Sequence, residues 1–453
     1  AKEIYIMEGG KIMENGNSLQ ELRIKATALR KHKNYSDSVN IYRAIWTDCR
    51  PLCNEWDGWG YAFCLRKLKL LDEALSVCRE VYRMKKDFNC GRELYAWCIY
   101  DLEIKKDSAE IREETFIKGA EAIISLCGFD PYSPYSPYVG TVFKVLDYFK
   151  SKAIYQSEEI MKWTDRVESE KLPFECYSRT DKSGKVLRIS SYKEKWYLFR
   201  TEALFKLEQY KTCLDLCEEA LIEIPGQHFL NSIWFKRRKA LCKWHLQDRE
   251  EALSELKDVL NQKKEWFIQH EIAGFYFEKG QIDDALSYAL DSALNYGETE
   301  FKWELFYLLG LILKSKGNMD IAKKHILLSA KVREEKGWKI PEKLSRLIEE
   351  FNIDTSSVPS SKELLTELKS HWTSLKFSDK PKLTGVIKKI LPNGKAGFIQ
   401  GDKGKSYYFK LKSYKGHRDD LEEGVPVKFY SEKGFDHKKG KESEEAVRIE
   451  LDY

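Results

Sequence analysis

The pattern of apolar and polar positions changes once along the chain, near residue 382. Before this point, apolar residues recur every three to four positions, which is typical of α-helices with one buried face. After it, apolar and polar residues alternate in short runs bounded by glycine, which is typical of β-strands. The pattern therefore predicts a mainly α protein with a small C-terminal β domain.

Small residues recur through the helical part at intervals in the thirties. Consecutive positions are separated by 36 residues, then, after a long interruption, by 39, 33 and 37. The recurring positions are Ser38, Ala74, Cys213, Ala252, Ala285 and Ala322. Twelve residues before them lie Ala26, Ala62, Thr201, Ala240, Ala273 and Gly310. Small side chains let two helices approach closely, so this period predicts stacked helical hairpins in a solenoid.

This pattern resembles the tetratricopeptide repeat over residues 18–90 and 190–335. The closing proline that is usual in that family is absent. The resemblance implies a tetratricopeptide-like helical solenoid, which we assign to residues 1–353 with an irregular insert at about 91–190. Within the insert, helices are predicted at 92–103, 111–126, 139–150 and 158–168, and a hairpin within 174–189.

The resemblance also implies a groove, because the first helix of each tetratricopeptide repeat lines the concave face. Aromatic and arginine side chains are common anchors at protein interfaces, so a protein partner is expected in this groove. The candidate groove residues are Trp234, Arg237, Trp244, Phe267, His270, Phe277 and Tyr307. The alternative, that several of these aromatics pack between repeats, stays open.

Polar and proline-rich residues follow the repeats, so residues 354–381 are predicted to form a linker that can include a short helix. Residues 382–453 then contain five strand-like runs. These runs span 383–391, 396–400, 406–411, 425–430 and 445–451. Five short strands in about 70 residues predict a five-stranded oligonucleotide-binding (OB-fold) barrel.

Charge is unevenly distributed along the chain, whose net charge is +5. Residues 380–453 hold 17 basic and 12 acidic residues, which accounts for the whole surplus. Ten lysines and one acidic residue fall within 380–415. Such a cationic surface, interleaved with aromatic residues, is what binding to single-stranded nucleic acid requires. A solvated lysine-rich face is the alternative.

The barrel region resembles the cold-shock domain over its full length. Residues 394–399 (GKAGFI) align with the first aromatic motif of that family and residues 407–410 (YYFK) with the second. The resemblance implies base stacking on Phe398 and Tyr408. The candidate nucleic-acid-binding residues are Lys388, Lys389, Lys395, Phe398, Tyr408 and Lys410.

Three positions depart from the cold-shock pattern. Lys389 stands where the family has tryptophan, Ala396 where it has an aromatic residue, and Lys410 where it has histidine. Each base–aromatic stack contributes about 1–3 kcal/mol. The barrel is therefore expected to bind more weakly, and with a steeper dependence on salt, than a full cold-shock domain.

Catalytic and cofactor-binding patterns are not found in the sequence. The eight histidines are scattered, and the cysteine pairs 49/53 and 213/217 lack two further metal ligands, so no metal and no cofactor are expected. The cysteines read as reduced, buried thiols of a cytoplasmic protein. No apolar run is long enough to span a bilayer, and no secretory signal is recognised at residue 1, so no membrane association is expected.

These features predict a non-catalytic adaptor that holds a protein partner in its solenoid and single-stranded nucleic acid on its barrel. RNA is expected in preference to DNA. By analogy, repeat platforms joined to such modules resemble components of prokaryotic antiviral or RNA-handling systems. One alternative is a pure protein scaffold whose barrel docks a partner. The other is a nuclease-type enzyme with an unrecognised site. The sequence does not determine the oligomeric state.

Overall fold

The computed structural model describes most of the chain. The described residues are 6–7, 10–11, 18–107, 110–152, 154–175, 177–181, 183–184, 186–224, 231–355, 359–378, 380–392, 394–402, 404–414, 416–417, 420–436 and 441–452. Two compact units are present, Ala1–Cys242 and Lys243–Tyr453. Residues 356–358 and 379 of the predicted linker lie outside the described residues.

The first unit is helical, apart from two short hairpins. Its helices are α1 (Leu19–Lys31), α2 (Tyr35–Asp48), α3 (Glu55–Lys67), α4 (Leu71–Met84), α5 (Asn89–Ile99), α6 (Glu113–Cys127), α7 (Tyr138–Lys150), α8 (Ser157–Thr164), α9 (Tyr192–Lys206), α10 (Tyr210–Glu223) and α11 (Asn231–His245), the last of which continues into the second unit. The hairpins pair β1 (Ile6–Met7) with β2 (Gly10–Lys11) and β3 (Tyr177–Thr180) with β4 (Val186–Ile189). Helix starts are set locally: Ser18 and Glu21 form a capping box on α1, and Asn54 and Asp57 form one on α3.

The second unit contains seven further helices and a barrel. The helices are α12 (Arg249–Gln262), α13 (Trp266–Glu278), α14 (Ile282–Leu294), α15 (Trp303–Ser315), α16 (Met319–Glu334), α17 (Glu342–Glu350) and α18 (Ser361–Phe377). The barrel strands are β5 (Leu383–Ile390), β6 (Ala396–Gly401), β7 (Ser406–Lys410), β8 (Pro426–Asp436) and β9 (Lys441–Leu451). Each predicted strand is present, and β8 and β9 extend well beyond their predicted ends as a long hairpin.

The small residues lie where paired helices cross. In the first unit the Ser38 hydroxyl donates to the carbonyl of Ala26 (2.8 Å), and the Cys213 thiol donates to that of Thr201 (3.2 Å). In the second unit, a Cβ on Gly310 would lie 2.5 Å from the Ile326 side chain, so only glycine allows this approach. The two sets of small residues are therefore the contact points of helical hairpins, and the tetratricopeptide-like fold is confirmed.

A left-handed backbone position ends the first helix of each hairpin, five residues before the second small position. The residues with this conformation, whose φ angles lie between 58° and 78°, are Lys33, Lys69, Glu208, Gln247, Gly280 and Gly317. Such a residue closes a helix by satisfying its last carbonyl groups. The repeat therefore has a second signature, the left-handed residue at the end of its first helix. In the sequence this residue can be recognised only at the two glycines.

The predicted irregular insert is built from helices. Helix α5 continues through a wider π-helical turn, Tyr100–Ile104, and α6, α7 and α8 follow. Their apolar faces join one core with those of α1–α4 and α9–α11. The last predicted helix, 158–168, ends early at Thr164, and the carbonyl of Arg166 beyond this end accepts a hydrogen bond from the Tyr138 hydroxyl. The predicted hairpin is present as β3 and β4.

The barrel is closed in the order β5-β6-β7-β9-β8, with β8 returning to β5. All neighbours pair antiparallel except β7 and β9, which are parallel. The barrel has its own core, in which Ile387, Ile399, Phe409, Val427 and Phe429 are almost completely buried. Alternate residues of the strands therefore face outward, as a period of two requires.

Helix α18 occupies the stretch predicted as a linker with a short helix. Leu364, Leu368 and Trp372 on it are buried, and α18 packs against α14 and α16. Its last turn contacts the barrel: the Phe377 and Tyr430 rings lie 4.6 Å apart, and the Lys376 ammonium bridges Asp291 of α14 (2.7 Å) and Glu432 of β8 (2.5 Å). The second unit therefore holds the barrel against the end of its helical array.

Candidate nucleic-acid interface

Two aromatic rings lie side by side on the outer surface of the barrel. Phe398 on β6 is directly opposite Tyr408 on β7, and their ring centroids are 5.7 Å apart at an interplanar angle of 65°. Both side chains are partly exposed, whereas their strand neighbours Ile399 and Phe409 point into the core. The alternation of β6 and β7 thus turns both predicted stacking residues toward solvent.

A β-bulge turns two consecutive lysines outward beside these rings. The β5–β6 register shifts between Ile387 and Lys389, so Lys388 and Lys389 are both exposed although they are adjacent. Lys389 lies opposite Phe398, and the Lys388 ammonium donates to the side-chain amide oxygen of Gln400 (3.1 Å). The bulge therefore makes β5 a cationic border to the ring pair.

Gly397 allows β5 and β6 to approach this closely. A Cβ at position 397 would lie 2.5 Å from the carbonyl oxygen of Lys389 and 2.7 Å from the Phe409 ring. A side chain there would separate the strands and move Lys389 away from Phe398. Gly397 is therefore a positioning residue within the GKAGFI motif.

The other two predicted lysines lie at the ends of β6 and β7. Lys395 is exposed in the turn before β6. Lys410 lies opposite Ala396, and its ammonium is 3.4 Å from a carboxylate oxygen of Glu445 on β9. Ala396 itself is buried. The predicted nucleic-acid-binding residues therefore lie on the outward side of β5, β6 and β7 or, for Lys395, in the turn before β6.

The structure adds an acidic residue, Glu445, to this face. It pairs with Tyr408 across the parallel β7–β9 contact. A carboxylate beside Tyr408 opposes a phosphate group and partly neutralises Lys410. The sequence carries no signal for this contact, because 35 residues separate Lys410 from Glu445.

The predicted groove residues do not form one exposed set. Trp244 is 3% exposed, stacks on Phe275 at 3.7 Å and donates its indole N–H to Glu278 (2.9 Å). Trp244 therefore packs between helices and leaves little surface for the predicted contact with a partner. The spacing of Trp244 along α11 predicts the face of the helix on which it lies. It does not predict that α13 covers this face.

The remaining groove residues are half-buried. Trp234 and Arg237 lie on the part of α11 that belongs to the first unit. In the second unit, Phe267 and His270 flank Trp266, with the His270 ring 6.4 Å from the indole. Phe277 is near the end of α13. Tyr307 on α15 lies under the Lys343 ammonium (5.3 Å). These residues keep enough exposed surface to contact a partner.

Buried polar groups elsewhere in the second unit have structural explanations. The Lys302 ammonium donates to the carbonyl groups of Ser292 (3.2 Å) and Asn295 (2.6 Å) at the end of α14. Burial lowers the pKa of Lys302 to about 8. A lysine at this position satisfies carbonyl groups that a helix end leaves without partners.

Metal and thiol chemistry find no site in the described part of the chain. There, no group of three or more His, Cys, Asp or Glu side chains is placed to hold a metal ion. Burial raises the pKa of Cys53 to about 11 and that of Cys127 to about 11, which keeps both thiols protonated and unreactive. Of the helices described, none combines the length and apolar character needed to cross a bilayer.

A family model described as "Domain of unknown function (DUF7017)" matches residues 233–371. A comparison with curated proteins finds no match.

Among solved structures, a tetratricopeptide repeat protein from Parabacteroides merdae is 10% identical, covers 74% of this chain and 98% of its own, and has a TM-score of 0.29. PilF of Pseudomonas aeruginosa is 9% identical and covers 65% of this chain and 97% of its own, with a TM-score of 0.29. The human IFIT1 dimer with m7Gppp-AAAA is 13% identical and covers 78% and 80%, with a TM-score of 0.35. By its own geometry, the chain has tetratricopeptide-like helical hairpins and a five-stranded C-terminal barrel.

Proposed function

We propose that this chain is a non-catalytic adaptor whose barrel binds single-stranded nucleic acid, with RNA preferred to DNA, while its helical repeats hold a protein partner. The observation that carries the proposal is the outward pair of Phe398 and Tyr408, bordered by lysines on β5 and β7 and in the turn before β6. Partly exposed rings supply stacking surfaces, and the lysines supply the charge that phosphates require.

The architecture of the barrel supports an OB-fold of the cold-shock type. It is a closed five-stranded barrel in which β7 pairs with β9 and β8 returns to β5. Oligonucleotides bind OB-folds on the face of the second and third strands. Here these strands are β6 and β7, which carry the ring pair. A protein-docking role for the barrel would not require rings and lysines to share this particular face.

Binding by this face is expected to be moderate and electrostatic. The face has two rings instead of a full aromatic set, and each missing base stack lowers the binding free energy by about 1–3 kcal/mol. Each lysine that contacts a phosphate adds about −0.7 to the slope of log affinity against log salt for a single strand. The face therefore suits a holder of single strands and not a reader of base sequence.

The experiment measures fluorescence anisotropy of a labelled single-stranded RNA of about 16 nucleotides with the full-length protein. Phe398→Ala and Tyr408→Ala are each expected to weaken binding about fivefold or more, because each removes one stacking surface. Lys389→Gln should weaken binding and flatten its salt dependence. A matching DNA strand tests the preference for RNA.

Two controls are built into the barrel. Lys428→Gln removes a lysine from β8, where it pairs with Asp452, and should leave binding almost unchanged. Glu445→Gln removes the carboxylate beside Tyr408 and should strengthen binding severalfold, whereas Glu444→Gln, with the same change in charge, should have a smaller effect. Equal affinity of the wild type and both ring variants at low salt would refute nucleic-acid binding by this face.

The protein-partner part of the proposal rests on the half-buried residues of α13 and α15. Phe277→Ala and Tyr307→Ala should reduce recovery of the same protein in affinity purification, with and without nuclease treatment. A partner that disappears on nuclease treatment was held by nucleic acid and not by the repeats. The prokaryotic antiviral or RNA-handling setting belongs to this proposal and rests on the joint presence of repeats and barrel.

A further inference from the structure

A stripe of aromatic residues runs along one face of α3 in the first unit. We call Trp56, Trp59 and Phe63 the α3 stripe; their spacing of three and four residues places them on one side of the helix, and Lys67 follows Phe63 on the same side. The Trp59 and Phe63 rings are stacked with centroids 5.3 Å apart, and Trp56 meets Trp59 edge-on at 5.8 Å. The rings form one continuous surface.

This surface is open to solvent at its first residue. Trp56 is 52% exposed, although an indole of this size is normally mostly buried in a helical core. Phe88 contacts the Trp56 ring edge-on at 4.7 Å, and the neighbouring Trp59 donates its indole N–H to the carbonyl of Cys90 (3.1 Å). The stripe is therefore packed against its neighbours and exposed at Trp56.

Two cations border the stripe without an acidic partner. The Arg30 guanidinium lies 4.8 Å from the Trp59 centroid and 5.5 Å from that of Phe63, and the Lys67 ammonium lies 5.2 Å from Phe63. Among the described side chains, neither forms an ion pair, and the Nε of Arg30 is buried without a hydrogen-bond partner. Neighbouring arginines differ: Arg23 pairs with Asp57 at 2.6 Å and Arg66 with Asp101 at 2.7 Å.

The surrounding helices carry an excess of positive charge. Residues 18–90, which run from the start of α1 to the first residues of α5, contain 14 basic and 9 acidic residues. The balance of the whole helical part hides this surplus, because acidic residues dominate elsewhere. An aromatic surface with unpaired cations at its border is complementary to a polyanion that carries planar rings.

We propose that the α3 stripe is a second binding surface for single-stranded nucleic acid, separate from the barrel. Trp56 offers its exposed ring to a base, while Arg30 and Lys67 contact the adjoining phosphates. An acidic peptide would also neutralise the two cations. It would not need a flat indole that is half exposed, whereas base stacking does, so the observations favour nucleic acid.

The test uses full-length protein in four forms: wild type, the barrel variant Phe398→Ala/Tyr408→Ala, the stripe variant Trp56→Ala/Lys67→Gln, and the combination of both. The probe is the labelled single-stranded RNA. The barrel variant should retain salt-sensitive binding, and the combined variant should bind about fivefold or more weakly than the barrel variant. Unchanged affinity between these two forms would overturn the proposal.

This design tests nucleic-acid binding by the barrel and by the α3 stripe separately. If the barrel does not bind, the barrel variant equals the wild type while the stripe variant still loses affinity, which supports the α3 stripe alone. Lys67→Gln by itself keeps the test valid if Trp56→Ala impairs folding, because Lys67 is exposed. Tyr296→Ala removes a highly exposed ring from the second unit and serves as the matched control.

A labelled peptide of alternating Glu and Phe identifies the rival occupant. Two results together would overturn the assignment to nucleic acid. Trp56→Ala would abolish binding of this peptide, and it would leave RNA binding unchanged. Failure of the peptide to compete with RNA on the barrel variant supports it.

Discussion

At the scale of single residues, His325 shows how a polar side chain is accommodated in the helical core. It lies on α16 and is fully buried. Trp372 of α18 donates its indole N–H to His325 Nε2 (2.7 Å), and an indole can only donate, so Nε2 accepts and the ring is neutral. The proton is then on Nδ1, which donates to the carbonyl of Ile321 (2.7 Å).

This arrangement makes stability depend on pH. Burial lowers the pKa of His325 to about 4, below its usual value near 6.5. Between these values the unfolded chain binds more protons, so stability is complete above about pH 6.5 and falls by about 3 kcal/mol as pH decreases to about 4. Chemical denaturation followed across this pH range measures the loss.

His325→Gln should remove most of that pH dependence, because an amide oxygen accepts from Trp372 without titrating. His371, a half-buried neighbour on α18 whose pKa burial also lowers, provides the control. His371→Gln should leave most of the slope in place. A wild type whose free energy of unfolding is constant from pH 6.5 to 4 would contradict the assignment of a neutral His325.

At the scale of elements, the left-handed turn between paired helices is a repeated cost. Gln247 adopts a φ of 75° and Gly280 a φ of 74° at equivalent points, ahead of α12 and α14. A left-handed conformation costs a non-glycine residue about 1 kcal/mol, and glycine almost nothing. Glycine therefore fits this turn better than the residues that several repeats use.

An exchange of these two residues tests the cost. Gln247→Gly should raise the free energy of unfolding by about 1 kcal/mol, and Gly280→Gln should lower it by a similar amount. No atom lies within 4 Å of a Cβ at Gly280, so the loss would come from the backbone and not from a clash. Thermal and chemical denaturation report both changes, and effects of equal sign would contradict the explanation.

The elements also show how far sequence reasoning reaches. Helical hairpins and all five barrel strands were predictable, because spacing within one element determines which face is buried. The burial of Trp244 was not predictable, because it depends on Phe275 of another helix. The outward pair of Phe398 and Tyr408 was predictable from alternation, whereas the carboxylate of Glu445 beside Tyr408 was not.

At the scale of the whole molecule, contacts between the barrel and α18 hold the parts of the second unit together. Arg448 on β9 has a left-handed φ of 50°, and its guanidinium lies 5.4 Å from the Phe377 ring. The strained position coincides with this contact, as expected where surrounding structure compensates for strain. Phe377 is held between Arg448 and Tyr430, which makes it the centre of the attachment.

Phe377→Ala should loosen the barrel while leaving the helices folded. Loss of this buried ring costs about 2 kcal/mol of the attachment, which corresponds to roughly 30-fold more of the detached form. Limited proteolysis between α18 and β5 should accelerate accordingly, with little change in helical circular dichroism. Lys380→Gln, whose ammonium is 3.9 Å from Glu432, is the control and should change the rate much less.

The sequence by itself determined the period of the helical hairpins, the number of barrel strands and the faces on which Phe398, Tyr408 and the lysines lie. These features follow from spacing within a few residues. Only the tertiary structure decided which polar groups are paired and which surfaces stay open. His325 and Trp372 are 47 residues apart. Arg448, whose guanidinium also donates to the carbonyl of Thr373 (3.4 Å), is 75 residues from that partner. Folding brings such residues together through the packing of whole elements, and no local pattern encodes that.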